Sequence, residues 1–508
     1  LQQLRRELLL ANPLLDFDRL LVVNRSTSSP DLGLPHNWQS NSMLPVSGFD
    51  DEITSFPWSR PDAEMTRIYK PQTPVFVGDV DLEFDADRLL FSSVGEKDRW
   101  HIFEIGIDGQ GLRQVTPSLY DDVDNYDACY LPDRRIIFSS TRTFCSVACV
   151  NGSTRVANLF SMTADGENVR QLCFDQEHNW CPTVTNGGSV LYTRWEYADT
   201  PHTHSRLLFQ MNPDGTRQAA VYGSNSYWPN AMFYTRPIPG DPNKVVTIVS
   251  GHHGVRRMGE LVILDPARGS HEADGVVQRI PGYGKQVEPL IEDQLVDNSW
   301  PKFLHPYPLS DKYFLVACQP TAASLWGIYL VDVFDNIVLI REQPGRALLE
   351  PLPIRKQPRP PVRPDSVDLA RDDSVVFMSD VYEGPGLDGI PRGTVKKLRL
   401  FTYSYDYPGM GGPQGVVGLE GPWDVRRILG TVPIEEDGSA SFRVPANTPI
   451  SVQPLDEQGK ALQVMRSWFT GMPGEVLSCV GCHEHHSEAT PNRRTLAEIN
   501  KPREIAPW

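Results

Sequence analysis

The chain has 508 residues, of which 40% are hydrophobic and 22% are charged, an ordinary composition for a soluble globular protein. Its length predicts about three domains, although a β-propeller of this size can form one. The formal net charge of -16 argues against nucleic acid or an anionic membrane surface as a partner. No apolar run approaches the ~18 residues that a membrane-spanning helix requires, so no membrane span is predicted.

The N-terminal region, residues 1–68, predicts little regular structure. Residues 1–11 have the pattern of a short charged helix rather than of a signal peptide, and the missing initiator Met suggests a processed or truncated chain. Residues 18–23 predict a strand. Residues 26–68 are rich in Ser, Pro and Asn and predict a long irregular arm.

An internal repeat predicts the fold of the next segment, residues 69–402. Three segments, 85–93, 132–140 and 186–193, each place a polar turn before an apolar strand. Each is followed by a second strand that ends in an Asp-Gly turn, at positions 108–109, 165–166 and 214–215. Such turns favour hairpins, because Gly accepts a positive φ without a Cβ clash. They recur about every 50 residues, a spacing typical of propeller blades with loop insertions.

Three further strand pairs continue this pattern. They lie at 245–249 with 261–265, at 313–317 with 327–332, and at 374–378 with 395–400. The sequence therefore predicts a mainly β protein with a β-propeller of about six blades, of the TolB or WD40 type, although five or seven blades fit almost as well. Residues 403–470 predict a small β-unit that closes or flanks the propeller, and residues 471–508 form a tail with a distinct motif.

This tail contains the pentapeptide CVGCH at residues 479–483, which has the pattern of c-type haem attachment. The thiols of Cys479 and Cys482 add across the vinyl groups of the porphyrin, and the adjoining His483 is placed under the iron. Chance would supply on the order of 0.003 such patterns in a chain with 8 Cys and 12 His. The motif therefore predicts one covalently bound haem c.

A structural zinc site is the main alternative for this motif. It needs a second ligand pair, and the only candidate, Cys145 with Cys149, has three residues between the thiols. His483 is the expected iron ligand, with zinc or solvent as the alternative, and zinc or calcium is a candidate for a further metal. His485 and His486 are expected at the surface, or as ligands of a second metal next to His483.

Haem attachment also predicts the compartment. Because c-type haem is attached outside the bacterial cytoplasm, the chain is expected to be exported to the periplasm or an equivalent compartment. The six cysteines outside the motif are Cys129, Cys145, Cys149, Cys173, Cys181 and Cys318. An even number permits disulfides in an oxidising compartment, but the sequence does not show their pairing.

Several longer stretches resemble a known family. They are LLANPLLDFDRLL (9–21), WEY (195–197), PRGTVK (391–396), VPIEEDGS (432–439) and MRSW (465–468). Together with the CVGCH motif, they resemble the propeller-plus-haem region of the hydrazine synthase alpha subunit and its many bacterial relatives of unassigned function. The resemblance covers most of residues 1–490.

The resemblance implies a propeller whose C-terminal extension places a c-type haem against the propeller body. In hydrazine synthase this haem belongs to an active site for small nitrogen compounds, where a Tyr after the motif binds the iron and the motif His helps to hold zinc. This chain has no Tyr after Cys479, and residues 479–483 are its only C-x-x-C-H. The resemblance also implies other subunits or a redox partner protein, and a small-molecule substrate.

A ligand on the far side of the haem is expected from the propeller loops. His252 and His253 end an apolar strand, and His178 precedes Cys181 by three residues. One of these histidines, or Cys181 through a metal, is expected close to the haem. Any single one of these histidines is more often an ordinary loop residue than a ligand. Trp180, Trp195 and Trp228 are expected in the core.

Two function classes fit these features. The first is a haem oxidoreductase that acts on a small molecule at an open iron position. The second is an electron-transfer or docking subunit with a six-coordinate haem, for which the propeller is a scaffold. Haem ligation distinguishes them, because a vacant position supports catalysis and a strong axial pair supports electron transfer. A propeller that binds polysaccharide or protein is the non-redox alternative.

Overall fold

The computed structural model describes residues 2–60, 62–147, 150, 152–196, 206–252, 254–409, 425–481 and 493–508. Most of its regular structure is β-strand, and the two α-helices of these residues are α1 (Gln2–Leu10) and α2 (Leu496–Ile499). The predicted mainly β class is therefore confirmed. Neither helix is long and apolar enough to cross a membrane.

Strands follow one another closely through residues 19–353. The first eleven are β1 (Arg19–Ser26), β2 (Asp51–Pro57), β3 (Thr66–Tyr69), β4 (Val77–Leu82), β5 (Arg88–Val94), β6 (Trp100–Gly106), β7 (Arg113–Gln114), β8 (Asn125–Tyr130), β9 (Ile136–Ser140), β10 (Asn158–Met162) and β11 (Arg170–Gln171). The next thirteen are β12 (Asn179–Val184), β13 (Val190–Trp195), β14 (Arg206–Met211), β15 (Ala219–Tyr222), β16 (Ala231–Pro237), β17 (Val245–Ser250), β18 (Glu260–Leu264), β19 (Val276–Ile280), β20 (Lys302–Pro308), β21 (Tyr313–Gln319), β22 (Gly327–Asp332), β23 (Ile337–Arg341) and β24 (Arg346–Pro353).

These strands form six four-stranded antiparallel units. Five units are four consecutive strands each, β4–β7, β8–β11, β12–β15, β16–β19 and β20–β23, and a single parallel bridge joins the third and fourth of them. The sixth unit has the order β24-β1-β2-β3 and so combines the two ends of this region. Strands such as β17 and β22 are buried along their whole length, because both of their faces pack against neighbouring sheets.

The six units close into a ring, which we call the six-sheet ring (residues 19–353). Its inner strands are β4, β8, β12, β16, β20 and β24; each lies next to the following one, and β24 lies next to β4. The apolar core fills the spaces between adjacent sheets, for example between β17–β18 and β20–β22. The ring is closed by pairing of β24 with β1, which are far apart in sequence.

The predicted irregular arm at 26–68 is wrong in part, because residues 51–57 and 66–69 form β2 and β3. The Ser-, Pro- and Asn-rich loop between β1 and β2 hides this hairpin in the sequence pattern. The ring therefore spans 19–353, whereas the sequence analysis expected residues 69–402. The sixth unit is completed at the N-terminus, and not by residues 374–378 and 395–400.

Residues 373–481 form a separate structure, which we call the β-unit. Its strands are β25 (Asp373–Met378), β26 (Lys397–Ser404), β27 (Val425–Pro433), β28 (Ala440–Pro445), β29 (Pro449–Leu455), β30 (Phe469–Thr470) and β31 (Val476–Cys479). One sheet has the order β28-β25-β31 and the other β27-β26-β29-β30. Their apolar faces share a core that includes Val376, Leu398 and Phe442. The two strands expected in a sixth blade, β25 and β26, thus belong to different sheets of the β-unit.

Candidate functional site

The motif of residues 479–483 begins at the end of β31, in the β-unit. β31 runs parallel to β25, with Cys479 opposite Met378. The backbone N–H groups of Ser379 and Asp380 donate to the carbonyls of Cys479 and Val480 at 3.1 Å and 3.0 Å. Cys479, the first cysteine of the motif, therefore lies at the end of a regular strand, and backbone hydrogen bonds fix its position.

Gly481 is packed against the loop that follows β25. A Cβ atom at this position would overlap the backbone carbonyl oxygens of Asp380 and Glu383. Since any side chain would meet backbone atoms that cannot rotate away, the close packing of this turn requires glycine. Cys482 and His483 lie outside the described residues, as do His485 and His486.

A mainly apolar cavity lies beside Cys479. It is lined by Val376, Met378, Val452, Pro454, Gln463, Val464, Met465, Phe469, Cys479 and Gly481. A porphyrin has two large apolar faces that soluble proteins cover. The residues present at this position therefore fit a haem linked to Cys479.

Among the predicted neighbours of the haem, His178 is fully buried just before β12. Its Nδ1 accepts a hydrogen bond from the backbone N–H of Ala157 at 3.1 Å, and its ring stacks on Trp180 with centroids 4.7 Å apart. Burial, followed by the charges of Arg257 and Arg206, lowers the pKa of His178 well below its usual value. Because a backbone N–H is always the donor, the neutral ring carries its proton on Nε2.

His252 has the same arrangement. Its Nδ1 lies 2.8 Å from Nη1 of Arg206, and a guanidinium can only donate. The neutral imidazole of His252 therefore also carries its proton on Nε2. Neither His178 nor His252 therefore has a lone pair on Nε2 that could bind a metal. His253 lies outside the described residues.

Cys181 lies in a different environment from His178, at the axis of the six-sheet ring. It lines a second cavity, and its backbone N–H donates to Oδ2 of Asp127 at 2.6 Å. Burial, and then the charge of Asp127, raises the pKa of the Cys181 thiol. The structure thus separates His178 and Cys181, which the sequence places three residues apart. The thiols of Cys129, Cys173, Cys181 and Cys318 are free.

The inner strands share a backbone feature at the ring axis that was not predicted from the sequence. Each inner strand has one non-glycine residue with φ between 47° and 56°; these are Asp79, Asp127, Cys181, Tyr234, His305 and Glu350. The strand register shifts at each of these positions, as in a β-bulge. The sequence did contain a cue to these bulges. Pro follows three of the six residues, and Pro in the interior of a strand is typical of a bulge.

Carboxylates at these bulges connect neighbouring inner strands. Glu350 accepts the backbone N–H groups of Asp79 and Val80 at 3.1 Å and 2.6 Å, and Asp81 accepts that of Tyr130 at 2.9 Å. Burial raises the pKa of Glu350 to about 8, with a further contribution from the charge of Asp79. These carboxyl groups therefore link neighbouring inner strands by hydrogen bonds. Burial also favours their protonated form.

A buried polar network joins the ring to the β-unit. Nε1 of Trp468 donates to Asp175 at 2.8 Å, and the guanidinium carbon of Arg194 lies 4.6 Å from the centre of a Trp468 ring. Arg194 also pairs with Glu196 at 3.1 Å, which accepts from Ser467 at 2.9 Å. This network fixes the segment after β29, and with it the wall of the cavity beside Cys479.

The described residues contain no cluster of three or more His, Cys, Asp or Glu that could hold a metal ion.

Comparison with known proteins gives two positive findings. Residues 393–484 match the model of the hydrazine synthase alpha subunit middle domain, a segment that includes the CVGCH motif. Hydrazine synthase from Kuenenia stuttgartiensis has a similar structure, with a TM-score of 0.74 and 17% sequence identity, over 95% of this chain and 72% of that chain.

Weaker likenesses involve TolB proteins. TolB from Acinetobacter baumannii has a TM-score of 0.39 and 11% identity, over 69% of this chain and 70% of that chain, which is too low to establish a common fold. No curated protein matches the chain. The chain is therefore similar to the middle domain of the hydrazine synthase alpha subunit in the sequence of residues 393–484, and to a hydrazine synthase chain in its overall fold.

Proposed function

We propose that this chain is an exported c-type haem protein, in which the six-sheet ring is a six-bladed β-propeller that supports a redox site. One haem is attached through thioether bonds to Cys479 and Cys482, with His483 as the iron ligand. The haem supplies one-electron chemistry at its iron. The likeness to hydrazine synthase supports a small nitrogen-containing substrate and an assembly with other subunits or a redox partner protein.

The observation that carries this proposal is the apolar cavity beside Cys479, together with the tight packing of Gly481. A zinc site would call for a cluster of polar ligands at this position. Among the described residues, the wall consists of aliphatic, aromatic and thioether side chains together with the Cys479 thiol, and Gln463 is its single amide. The apolar character of this described part of the wall therefore supports a porphyrin as the bound group.

Attachment is tested by acid–acetone extraction of the denatured protein, which removes only haem that is not covalently bound. The wild type should keep its haem absorbance, and the double variant Cys479→Ser/Cys482→Ser should lose it all. Cys318→Ser is the matched control, because Cys318 is a buried free thiol in the ring. Complete extraction from the wild type would refute the proposal.

Export is tested through haem loading. The chain should carry haem when an added signal sequence directs it to a periplasm that contains haem-attachment enzymes, and should lack haem when it stays in the cytoplasm of the same cells. Equal loading in both compartments would contradict this part of the proposal.

The protonation of His178 and His252 favours an enzyme over an electron-transfer subunit. With the proton on Nε2 of both rings, neither residue offers a lone pair there to bind the iron. We infer that neither histidine would bind the iron of an attached haem, which would leave a coordination position available to a small molecule. The alternative, a six-coordinate electron-transfer haem, needs a different ligand, and the thioethers of Met378 and Met465 in the cavity wall are candidates.

Absorption and EPR spectra of the ferric protein, with and without cyanide or nitric oxide, decide between the two. A high-spin iron that accepts these ligands supports an enzyme with an open position. A low-spin iron that ignores both ligands would establish the electron-transfer alternative.

A further inference from the structure

A small cavity lies on the axis of the six-sheet ring. Every inner strand contributes two or three consecutive residues to its wall, and these include the six positive-φ positions. The wall contains neither Cys479 nor Gly481, so this ring-centre cavity is distinct from the proposed haem site.

Acidic side chains outnumber basic ones in the wall of the ring-centre cavity. Asp79, Asp81, Asp127 and Glu350 line it, while Arg236 is its only Arg or Lys and lies 4.0 Å from Asp81. Several carboxylates in a poorly solvated space are costly unless they bind protons or meet a positive charge. The wall therefore has an excess of hydrogen-bond acceptors with negative charge.

A histidine in the same wall adds an unused polar atom. Nδ1 of His305 is buried and has no hydrogen-bond partner among the described residues, and its ring lies 4.4 Å from that of Tyr234, edge to face. Burial, and then the charges of Arg25 and Arg236, lowers the pKa of His305 to about 3, so the imidazole is neutral at ordinary pH. A buried acceptor without a partner in the wall of a cavity can take a hydrogen bond from a bound group.

The arrangement of these acceptors indicates the kind of ligand. Within the described residues, no three or more His, Cys, Asp or Glu side chains are close enough together to hold a bare metal ion. The acceptors instead come from different inner strands around an open space. A cation whose N–H groups point in several directions can reach separate carboxylates, which a single ion cannot do.

We propose that the ring-centre cavity binds a small organic cation of the amine or guanidinium class. Its N–H groups donate to Asp127, Glu350 and the neighbouring acidic side chains, and Tyr234 offers an aromatic face to its positive charge. This proposal does not depend on the haem.

Proton release accompanies binding in this site. Burial raises the pKa of Asp127 to about 7 and that of Glu350 to about 8, with Asp79 adding to both shifts. A bound cation favours the ionised carboxylates, so their protons leave to solvent and binding tightens as the pH rises from 6 to 8. The groups that face the site are Asp79 and Asp81 of β4, Asp127 of β8, Cys181 of β12, Tyr234 and Arg236 of β16, His305 and Tyr307 of β20, and Glu350 of β24, with Arg25 and Arg257 nearby.

The test is calorimetric titration of the haem-loaded full chain with methylguanidine and with 1,3-diaminopropane. Tetramethylammonium is the control, because it has the same charge as methylguanidine but no N–H donor. At least one of the first two should bind at millimolar concentration or below, and more tightly than tetramethylammonium. The heat should vary with the ionisation enthalpy of the buffer, in the sense of proton release.

Variants locate the site. Glu350→Gln and Asp127→Asn should each weaken binding by about tenfold, since each removes a charged acceptor. Asp108→Asn, in an exposed turn of the same ring, should leave affinity unchanged. If neither ligand binds the wild type, if tetramethylammonium binds equally well, or if both cavity variants bind normally while remaining folded, the proposal is wrong. Haem content is measured on the same samples, so a failure of haem attachment is distinguished from a failure of cation binding.

Discussion

At the residue scale, Gly481 has the most demanding position in the motif region. Its hydrogen atom faces the carbonyl oxygens of Asp380 and Glu383, with no space for a methyl group. Gly481→Ala should therefore displace the turn that leads to Cys482, at a cost of about 1–3 kcal/mol if the backbone shifts to fit it. The expected result is lower haem content in a chain whose ring remains folded, as measured by the ratio of haem to protein absorbance.

Gly187→Ala is a suitable control for this change. Gly187 has no positive φ, and the nearest atom to a new Cβ is a side-chain nitrogen of Arg363 at 3.6 Å. It should load haem like the wild type. Normal haem content in Gly481→Ala would show that the turn can relax and that its tight packing does not control attachment.

Glu350 makes a residue-scale prediction about pH. Its pKa in the folded chain is about 8, above the value of 4.5 for an unperturbed Glu, so the folded state binds the proton more tightly. The stabilisation from this group is complete below the unfolded pKa and is lost as the pH rises through the folded pKa. The free energy of unfolding should therefore fall by a few kcal/mol between about pH 5 and pH 9 on account of this group.

Glu350→Gln should flatten this pH dependence. The amide cannot titrate, although it still accepts one of the hydrogen bonds from Asp79 and Val80. Urea unfolding at several pH values measures the slope, which is independent of any constant loss of stability in the variant. A slope equal to that of the wild type would mean that Glu350 does not carry the proton.

At the element scale, the turns between first and second strands repeat the same backbone geometry. Ala86, Arg134 and Gly188 occupy the equivalent position in three successive units, with φ of 56°, 75° and 78°. Only glycine adopts this region without a Cβ penalty. Arg134→Gly should therefore raise the free energy of unfolding by about 1 kcal/mol, as measured by urea denaturation.

The variant Arg134→Ala separates backbone strain from charge. Alanine also removes the guanidinium but keeps the Cβ, so it should give no such gain. Equal stabilisation by both substitutions would assign the effect to the lost charge. In the opposite direction, Gly188→Ala should destabilise, because its Cβ would also overlap the carbonyl oxygen of Pro361.

Much of the ring was predictable because its signals are local. Apolar strands joined by Asp-Gly turns mark the units between β4 and β15 within windows of about 50 residues. The closing unit was not predictable in this way, because β24 pairs with β1 more than 300 residues earlier and neither strand has a local partner signal. The pair β25 and β26 was misplaced for the same reason, since strand periodicity does not reveal which sheet a strand joins.

The candidate site likewise combines a local sequence pattern with contacts that only the folded chain brings together. The spacing of Cys479, Cys482 and His483 is a local pattern and was visible at once. The ring-centre carboxyls come from inner strands in different units, so only the closed ring brings them together. His178 and Cys181 are neighbours in sequence, but a bulge at Cys181 sends them into different environments.

At the scale of the whole molecule, the ring depends on its N-terminal strand. β1 lies between β24 and β2 and is hydrogen-bonded to both. Arg25 of β1 pairs with buried Asp51 at 2.9 Å and donates to the carbonyl of Val77 at 2.7 Å, which links the closing unit to the next one. Loss of β1 would expose the edge of β24 and leave Asp51 without its cation, both at considerable cost.

Two truncations separate this closure from the preceding helix. Removal of residues 1–11 deletes α1, whose polar contacts are at the surface, such as Arg5 with Asn336, while only its last two residues, Leu9 and Leu10, pack against the ring core. Removal of residues 1–28 also deletes β1 and should open the ring. The shorter truncation should unfold in one cooperative thermal transition close to that of the full chain, whereas the longer one should lose this transition and become sensitive to protease throughout 77–353. Retention of a native-like transition without residues 1–28 would show that the ring can close through β24 and β2 directly, and that β1 is dispensable.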